Sequence, residues 1–369
     1  MSDRRGFLRN AGWGEAEIVP LKGDASTRSY ARLTHGARKA MLMDQPQAAE
    51  AGVAAADADE AARRALGYNA VARLAGADCR RFAAVAQYLR ARGLSAPDIL
   101  AADYAQGLVV LEDLGDDLFT EVLADGSPGE ELYQAAVEIL ARLHTESAPE
   151  FLPSPSGGAV PLFAYDAIAL IAETDLMLEW FLPLALGRPA SESEYKEHRA
   201  LWHAALDAVK HSPRVFVHRD YHAQNLIWLP EREGQARVGL IDFQDAVAGS
   251  RAYDLVSLVE DARRDVPAKV AESATRHYLA AAKAEGIALD EKQFRAEMAV
   301  MAAQRNTKIV GIFARLFVRD GKRRYLDYLP RVWGYLEHDF SHPLLADLRH
   351  WYDRVLPKAR RALPEQATA

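Results

Sequence analysis

One stretch constrains this chain more than any other: VHRDYHAQNLIWLPEREGQARVGLIDFQDAVAGSRAYD, from Val217 to Asp254. Two apolar runs within it, 225–229 and 237–243, are rich in Leu, Ile, Val and Trp, and a polar connection with one glycine separates them. That pattern predicts two short strands of a hairpin. A polar cluster, His218 to Gln224, precedes the first strand, and Asp242 stands at the end of the second. Pairing the strands brings Asp220, Asn225 and Asp242 towards one end of the hairpin, although they lie five and twenty-two positions apart.

Phosphoryl transfer from ATP calls for such a trio. One carboxylate orients the acceptor hydroxyl and takes its proton, while an amide oxygen and a second carboxylate hold the magnesium ion that bridges the phosphates. The spacing His-x-Asp-x-x-x-x-Asn, followed by a strand ending Ile-Asp-Phe, is that of a kinase catalytic loop and its metal-binding segment. Here it reads His218-Arg-Asp220-Tyr-His-Ala-Gln-Asn225, then Ile241-Asp242-Phe243.

In these residues the chain resembles the aminoglycoside phosphotransferase and choline kinase group of small-molecule kinases, relatives of the protein kinases. Gln244, where protein kinases carry the Gly of Asp-Phe-Gly, suits the small-molecule group. The resemblance implies an α+β, bilobal protein-kinase-like fold. Residues 1–114 would form a small antiparallel-sheet lobe that binds ATP, with an alanine-rich helical insertion near 47–77. Residues 115–369 would form a mostly helical lobe with the catalytic loop and the acceptor site. Asp220 is then the expected base, and Asn225 and Asp242 the magnesium ligands. His218 is expected to support the loop with Asp254 as its partner, and Asp254 can also cap the helix that it opens.

Length and composition fit this expectation. A chain of 369 residues suits two cores. Half the residues are apolar and 26% are charged, the balance of a globular protein. The net charge of −7 gives no electrostatic reason to expect nucleic acid or an anionic membrane as partner. Cys79 is the single cysteine, so no intrachain disulfide can form, which suits a cytoplasmic protein. The first residues, MSDRRGFLRNAGWGEAE, lack the apolar core of a secretory signal, and no apolar run is long enough to span a membrane. A monomer is expected.

The N-terminal part reads as strands at 18–21, 29–33 and 40–43 after a short helix at 4–12. The loop 22–28 between the first two strands can lie over phosphates, with Ser26, Thr27 and Arg28 as donors. A kinase normally carries a lysine on the third strand, paired to a glutamate on the next helix. This chain has Ala40-Met-Leu-Met-Asp44 instead, and the helix expected at 78–92 contains no glutamate. Arg28 or Lys39 is left to supply the positive charge. The strand from Leu108 runs into Glu112-Asp113-Leu114-Gly115, the expected hinge, with Glu112 and Leu114 beside the adenine.

In the C-terminal part, the apolar and aromatic segment 166–186 carries Glu179 and Trp180, a carboxylate and an aromatic face suited to a sugar. Arg219 and Gln224 flank the base and Asp245 follows Asp242, so all three are candidates for substrate contact. Gln304, Lys308 and Arg315 fall at spacings of four and seven on one helical face, which would suit an acceptor bearing a carboxylate. His198 and His203, five apart, make a poor metal pair and are expected at the surface.

Used as a whole, the chain is most similar in pattern to one subgroup, the anomeric N-acetylmuramate/N-acetylglucosamine kinases of bacterial cell-wall recycling. That likeness rests on Gly23-Asp-Ala-Ser-Thr-Arg28-Ser-Tyr30, on the strand Ala40-Met-Leu-Met-Asp44 with Met in place of Lys, on Leu111-Glu-Asp-Leu-Gly115 and on Gln304-Arg-Asn-Thr-Lys308-Ile together with the catalytic loop. It implies ATP, magnesium and an amino-sugar acceptor. A kinase of aminoglycosides, choline or homoserine would share the ATP machinery. A nucleotide-binding regulator without turnover is the reading that the missing strand lysine leaves open.

Overall fold

A computed structural model describes residues 3–21, 28–46, 53–125, 129–155 and 157–362. The chain divides into two compact units. One comprises Met1–Ile139, Ala148–Ala164 and His218–Ala248; the other comprises Leu140–Ser147, Tyr165–Val217 and Gly249–Ala369.

The first unit is built on a five-stranded antiparallel sheet. Helix α1 (Arg4–Asn10) is followed by strands β1 (Glu17–Pro20), β2 (Ser29–His35) and β3 (Arg38–Asp44). Helix α2 (Cys79–Arg90) and strands β4 (Ile99–Asp103) and β5 (Leu108–Leu111) complete it, in the order β1-β2-β3-β5-β4. Strand β4 is absent from the sequence reading, because Ile99-Leu-Ala-Ala-Asp103 has neither β-branched density nor alternation.

Side chains alternate across the sheet, and this alternation makes the site. Ala31, Leu33, Ala40, Leu42, Leu108 and Val110 form one core with Phe7 and Leu8 of α1 and with Trp13. Tyr30, Arg32, Met41 and Leu111, the intervening positions, line a cavity instead. Register keeps them together, because Arg32 pairs with Met41 and Met41 with Leu111.

The expected hairpin is present as β6 (Leu226–Trp228) and β7 (Val238–Leu240), antiparallel, with Leu226 opposite Leu240. Its strands are shorter than the apolar runs suggest. The outward-facing backbone of the strands is tied to other segments: Trp228 N donates to Asp117 O at 2.7 Å and Leu240 N to Ser95 O at 2.8 Å.

The second unit is helical. Helix α3 (Ala167–Leu176) passes into a π-helical turn, Met177–Phe181. Then follow α4 (Glu192–Asp207), α5 (Ala252–Val259), α6 (Ala268–Ala284) and the 30-residue α7 (Glu291–Asp320). Ser191 and Glu194 close a capping box on α4. Gly311 lets α7 lie against the π-turn: a Cβ there would fall within 2.6 Å of the Met177 nitrogen and closer still to Leu176. Two expectations need correction here. Asp254 lies inside the first turn of α5, fully buried, and the cap position is Arg251. His198 is fully buried rather than at the surface, because Trp351 and Tyr352, remote in sequence, pack on it.

Candidate active site

The catalytic loop is rigid for reasons that can be named. The His218 ring stands edge-on to Tyr221 and Phe243, at 5.5 and 6.2 Å between centroids. Burial pushes its pKa down to about 4, so it is neutral at physiological pH. The Tyr221 hydroxyl donates to Ala136 O at 2.8 Å. Asn225 Nδ2 donates to Asp220 O at 2.9 Å, closing the loop on itself. That bond also orients the amide: its NH2 end is committed to the loop, which leaves Oδ1 as the end for a cation.

Asp242 follows the short strand β7, joined to the loop by Ile241 N donating to Asn225 O at 3.2 Å. Its φ is +61°, in the left-handed region. An L-residue is held there at a cost of about 1–2 kcal/mol. Among the described residues the other non-glycine residues with positive φ are Arg219 at +79° and Arg73 at +59°. The last two are neighbours, since Arg219 donates to Ala72 O at 2.8 Å and to Arg73 O at 3.3 Å.

The Asp242 carboxylate accepts from Gln244 Nε2 at 3.1 Å and lies 3.6 Å from Arg28 Nη1. Its side chain retains 44% of its accessibility, but into a recess rather than into open solvent. Withdrawal from bulk water raises its pKa; Arg28 opposes the rise, and the nearby Asp220 and Asp245 add to it. A cation at this position would relieve the mutual repulsion of these carboxylates. One carboxylate and one amide oxygen are hard donors of the kind that magnesium takes, with phosphate oxygens and water completing its shell. The residues present therefore fit the ion. Among the described residues there is no cluster of three His, Cys, Asp or Glu side chains that could hold a metal by itself.

Asn225 and Asp242 stand at the edge of a cavity of about 300 Å³. Apolar Leu21, Met41, Leu111, Leu114, Ile227 and Ile241 line it, with Tyr30 and Arg32 from β2. Burial pushes the Tyr30 hydroxyl up to about 12, and the phenol donates to Met43 Sδ at 3.5 Å. The Arg32 guanidinium forks onto both Asp113, at 2.7 Å, and Asp116, at 2.8 Å, which fastens β2 to the segment after β5. The slot is apolar in its walls and carries donors and carboxylates at its edge, the arrangement of a small-molecule pocket.

The expected site residues separate into distinct groups. Glu112 is engaged at the pocket edge: its backbone N donates to Asp98 O at 2.9 Å, and its carboxylate accepts from Arg232 Nη2 at 2.7 Å. Leu114 lines the cavity. Lys39 is exposed. Ser26 and Thr27 lie outside the described residues. Gln224 is exposed, whereas Arg219 is buried and spends its guanidinium on backbone carbonyls. Asp245 accepts from Ala75 N at 2.6 Å.

In the second unit, Glu179 is exposed and Trp180 half-buried on the π-turn. Gln304 and Lys308 do share a face of α7, and that face is buried. Lys308 Nζ lies 3.2 Å from Glu173 and donates to the Tyr253 hydroxyl at 3.1 Å. Gln304 Nε2 donates to Glu173 at 3.2 Å, and the Tyr165 hydroxyl also donates to that carboxylate. Arg315 is half-buried further along the helix.

Sequence reasoning missed the segment before α2, which carried no visible chemistry because it is rich in alanine. Its backbone, at Ala72, Arg73 and Ala75, is what Arg219 and Asp245 hold. It also missed Arg81. No sequence signal marks either feature, since the partners are main-chain atoms.

Comparison with known proteins agrees with this geometry. The chain is 44% identical over 355 residues to an N-acetylmuramate/N-acetylglucosamine kinase of Caulobacter vibrioides, covering 96% of each chain. It is 33% identical to a protein of the same name from Pseudomonas aeruginosa, covering 91% of this chain and 89% of the relative. The structure of a choline/ethanolamine kinase family protein from Mesorhizobium loti superposes with a TM-score of 0.53 at 16% identity, covering 97% of each chain, which shows the α+β protein-kinase-like fold. The profile of the phosphotransferase enzyme family matches residues 17–289. With nearly three quarters of its length matched, catalytic loop included, the chain belongs to the phosphotransferase enzyme family.

Proposed function

We propose that the protein transfers the γ-phosphoryl group of ATP to the anomeric C1 hydroxyl of N-acetylmuramate or N-acetylglucosamine. The observation that carries the reading is the pairing of an apolar slot with Asn225 and Asp242 at its edge, in a chain 44% identical to a kinase named for these sugars.

The adenine lies in the slot, against Leu114 and beside Glu112. Ser26, Thr27 and Arg28 take the phosphates. Arg28 fills the role of the missing strand lysine, because it reaches Asp242 from the start of β2 while Lys39 faces solvent. Asn225 Oδ1 and the Asp242 carboxylate hold magnesium. When bound, the ion neutralises charge on the phosphates and aligns the transferred group. Asp220 orients the C1 hydroxyl and accepts its proton as the oxygen attacks phosphorus. This arrangement works mainly by positioning and charge compensation, so each residue acts by holding an atom in place.

Glu179, Trp180, Gln224 and Arg315 stand exposed or half-buried, and each is a candidate for acceptor contact. Arg219, Asp245, Gln304 and Lys308 are engaged by protein partners and are the weaker candidates for acceptor contact, and His218 would support the catalytic loop. Residues 1–114 would form the N-terminal ATP-binding lobe, and 115–369 the helical lobe that carries the catalytic loop and the acceptor site. The protein works as a cytoplasmic monomer; among its described residues no helix is long and apolar enough to cross a membrane.

The test is ADP release with magnesium-ATP over an acceptor panel of N-acetylmuramate, N-acetylglucosamine, glucosamine, choline, homoserine and kanamycin, with Asp220→Asn as the blank. Turnover on the N-acetylated sugars, with an acid-labile sugar 1-phosphate as product, is expected. Turnover on choline, homoserine or kanamycin alone would keep the catalytic residues and discard the sugar. ATP binding with no turnover on any acceptor would favour the regulator.

A further inference from the structure

The lysine–glutamate pair that would join a kinase's third strand to its helix is missing here, yet α2 is tied to the metal-binding segment by another route. Arg81, in the first turn of α2, is buried and donates to three backbone carbonyls. They are Gln244 O at 3.0 Å, Ala246 O at 2.8 Å and Pro161 O at 2.9 Å. Two of the three belong to the segment just after Asp242. The next residue, Phe82, stacks on Phe243, with centroids 4.8 Å apart. The Arg81 guanidinium also lies over the Phe163 ring at 4.5 Å, with Arg73 over the same ring at 4.8 Å.

The same segment is held from a second direction. Asp245 accepts from Ala75 N, and Arg219 binds the carbonyls of Ala72 and Arg73. Two of the residues at positive φ, Arg219 and Arg73, are joined directly by these bonds, and the third, Asp242, lies three positions before the bonded Asp245. A strained conformation persists only where the surroundings over-determine it. The planar guanidinium can serve three diverging carbonyls from one side chain; a lysine ammonium in its place is a point charge on a flexible stem. Burial lowers the pKa of Arg81 to about 10, so it remains charged at neutral pH.

We propose that Arg81 is the positioning residue for the magnesium ligand Asp242, and that its three-carbonyl clamp ties α2 to the metal-binding segment in a chain that lacks the lysine–glutamate pair. Arg81 touches neither metal nor nucleotide. It acts through the backbone, by fixing where the Asp242 carboxylate points. The proposal rests on the reading of Asp242 as a magnesium ligand.

The experiment is calorimetric titration of ADP into wild type, Asp242→Asn, Arg81→Lys and Arg81→Met, each with magnesium and with a chelator, after checking melting transitions. Wild type should bind ADP more tightly with magnesium, and Asp242→Asn should lose that gain. Both Arg81 variants should bind metal-free ADP within about twofold of wild type but lose about tenfold or more of the magnesium-dependent gain, the usual effect of removing a group that orients a metal ligand. Arg81→Lys retains charge and bulk, so its loss would isolate the fork geometry. A folded Arg81 variant that keeps the full gain overturns the proposal, as does an equal loss with and without metal. Failure of both variants to fold would assign Arg81 to stability alone and also overturn it. Absence of a magnesium gain in wild type would remove the reading of Asp242, and the proposal with it.

Discussion

The two units each contain a dense polar cluster, and the clusters are built on opposite principles. Around the hairpin of the first unit, one carboxylate is left only partly matched. Asp242 has Arg28 at 3.6 Å, but Asp220 and Asp245 add negative charge beside it, and its carboxylate faces a cavity. Around α7 of the second unit, charges are matched. Lys308 meets Glu173, and Tyr165, Tyr253 and Gln304 bond to one or the other. An unbalanced carboxylate at a cavity edge is ready for a ligand; a balanced pair between helices is finished without one. The difference shows that polar character alone does not mark a binding residue. What marks it is whether the neighbours already satisfy it.

The largest test of this contrast is at the open cluster. Asp220→Asn should lower kcat by about 10²–10⁴, the range for a general base, while nucleotide affinity stays close to wild type. Calorimetry beside steady-state kinetics separates the two. A loss of less than about threefold in kcat would mean that Asp220 does not take the proton.

At the closed cluster the principal effect should be on stability. Lys308→Met leaves the Glu173 carboxylate buried without its cation, at a cost of about 3–5 kcal/mol. The double variant Lys308→Met/Glu173→Gln removes both charges and should recover most of that. Denaturant titration of the three proteins gives the answer. A single variant as stable as wild type, with a raised KM for the sugar, would move Lys308 from the balanced cluster to the acceptor site.

These contrasts explain what could and could not be read in advance. Asp220, Asn225 and Asp242 were legible because a hairpin converts fixed spacing into fixed proximity, and β6 and β7 pair as that argument requires. The sheet was legible where alternation is strong, at β2 and β3, and not at β4. Residues Gln304 and Lys308 were correctly placed on one helical face, but periodicity shows which residues share a face and not what covers it. Glu173 lies 135 positions from Lys308, and no local pattern connects them. Arg81 shows the same limit more sharply. Its partners are carbonyl oxygens, which every residue possesses, so sequence alone cannot reveal the clamp.

The smallest effect concerns the buried histidines, His218 and His222 in the first unit and His144 and His198 in the second. Burial lowers the pKa of both His144 and His198 to about 3, and that of His218 to about 4. For His198 the geometry gives the reason. Trp202 Nε1 donates to its Nε2 at 3.0 Å, so a proton on Nε2 would set two N–H groups against each other. The unfolded chain binds that proton near pH 6.5 and the folded chain does not. The stabilisation is therefore complete above about pH 6.5 and is lost progressively as pH falls towards the folded value. One such group contributes a slope of about 1.4 kcal/mol per pH unit. His198→Gln keeps an acceptor for Trp202 but cannot titrate. Its stability should therefore fall less steeply between pH 6 and 4.5, by about that slope, when the two proteins are compared by denaturant titration at each pH. Raised carboxyl groups such as Glu297 act in the opposite direction, but they are common to both proteins and cancel in the difference. An unchanged slope would mean that His198 gains its proton without unfolding, and that the second unit yields where its packing looks tightest.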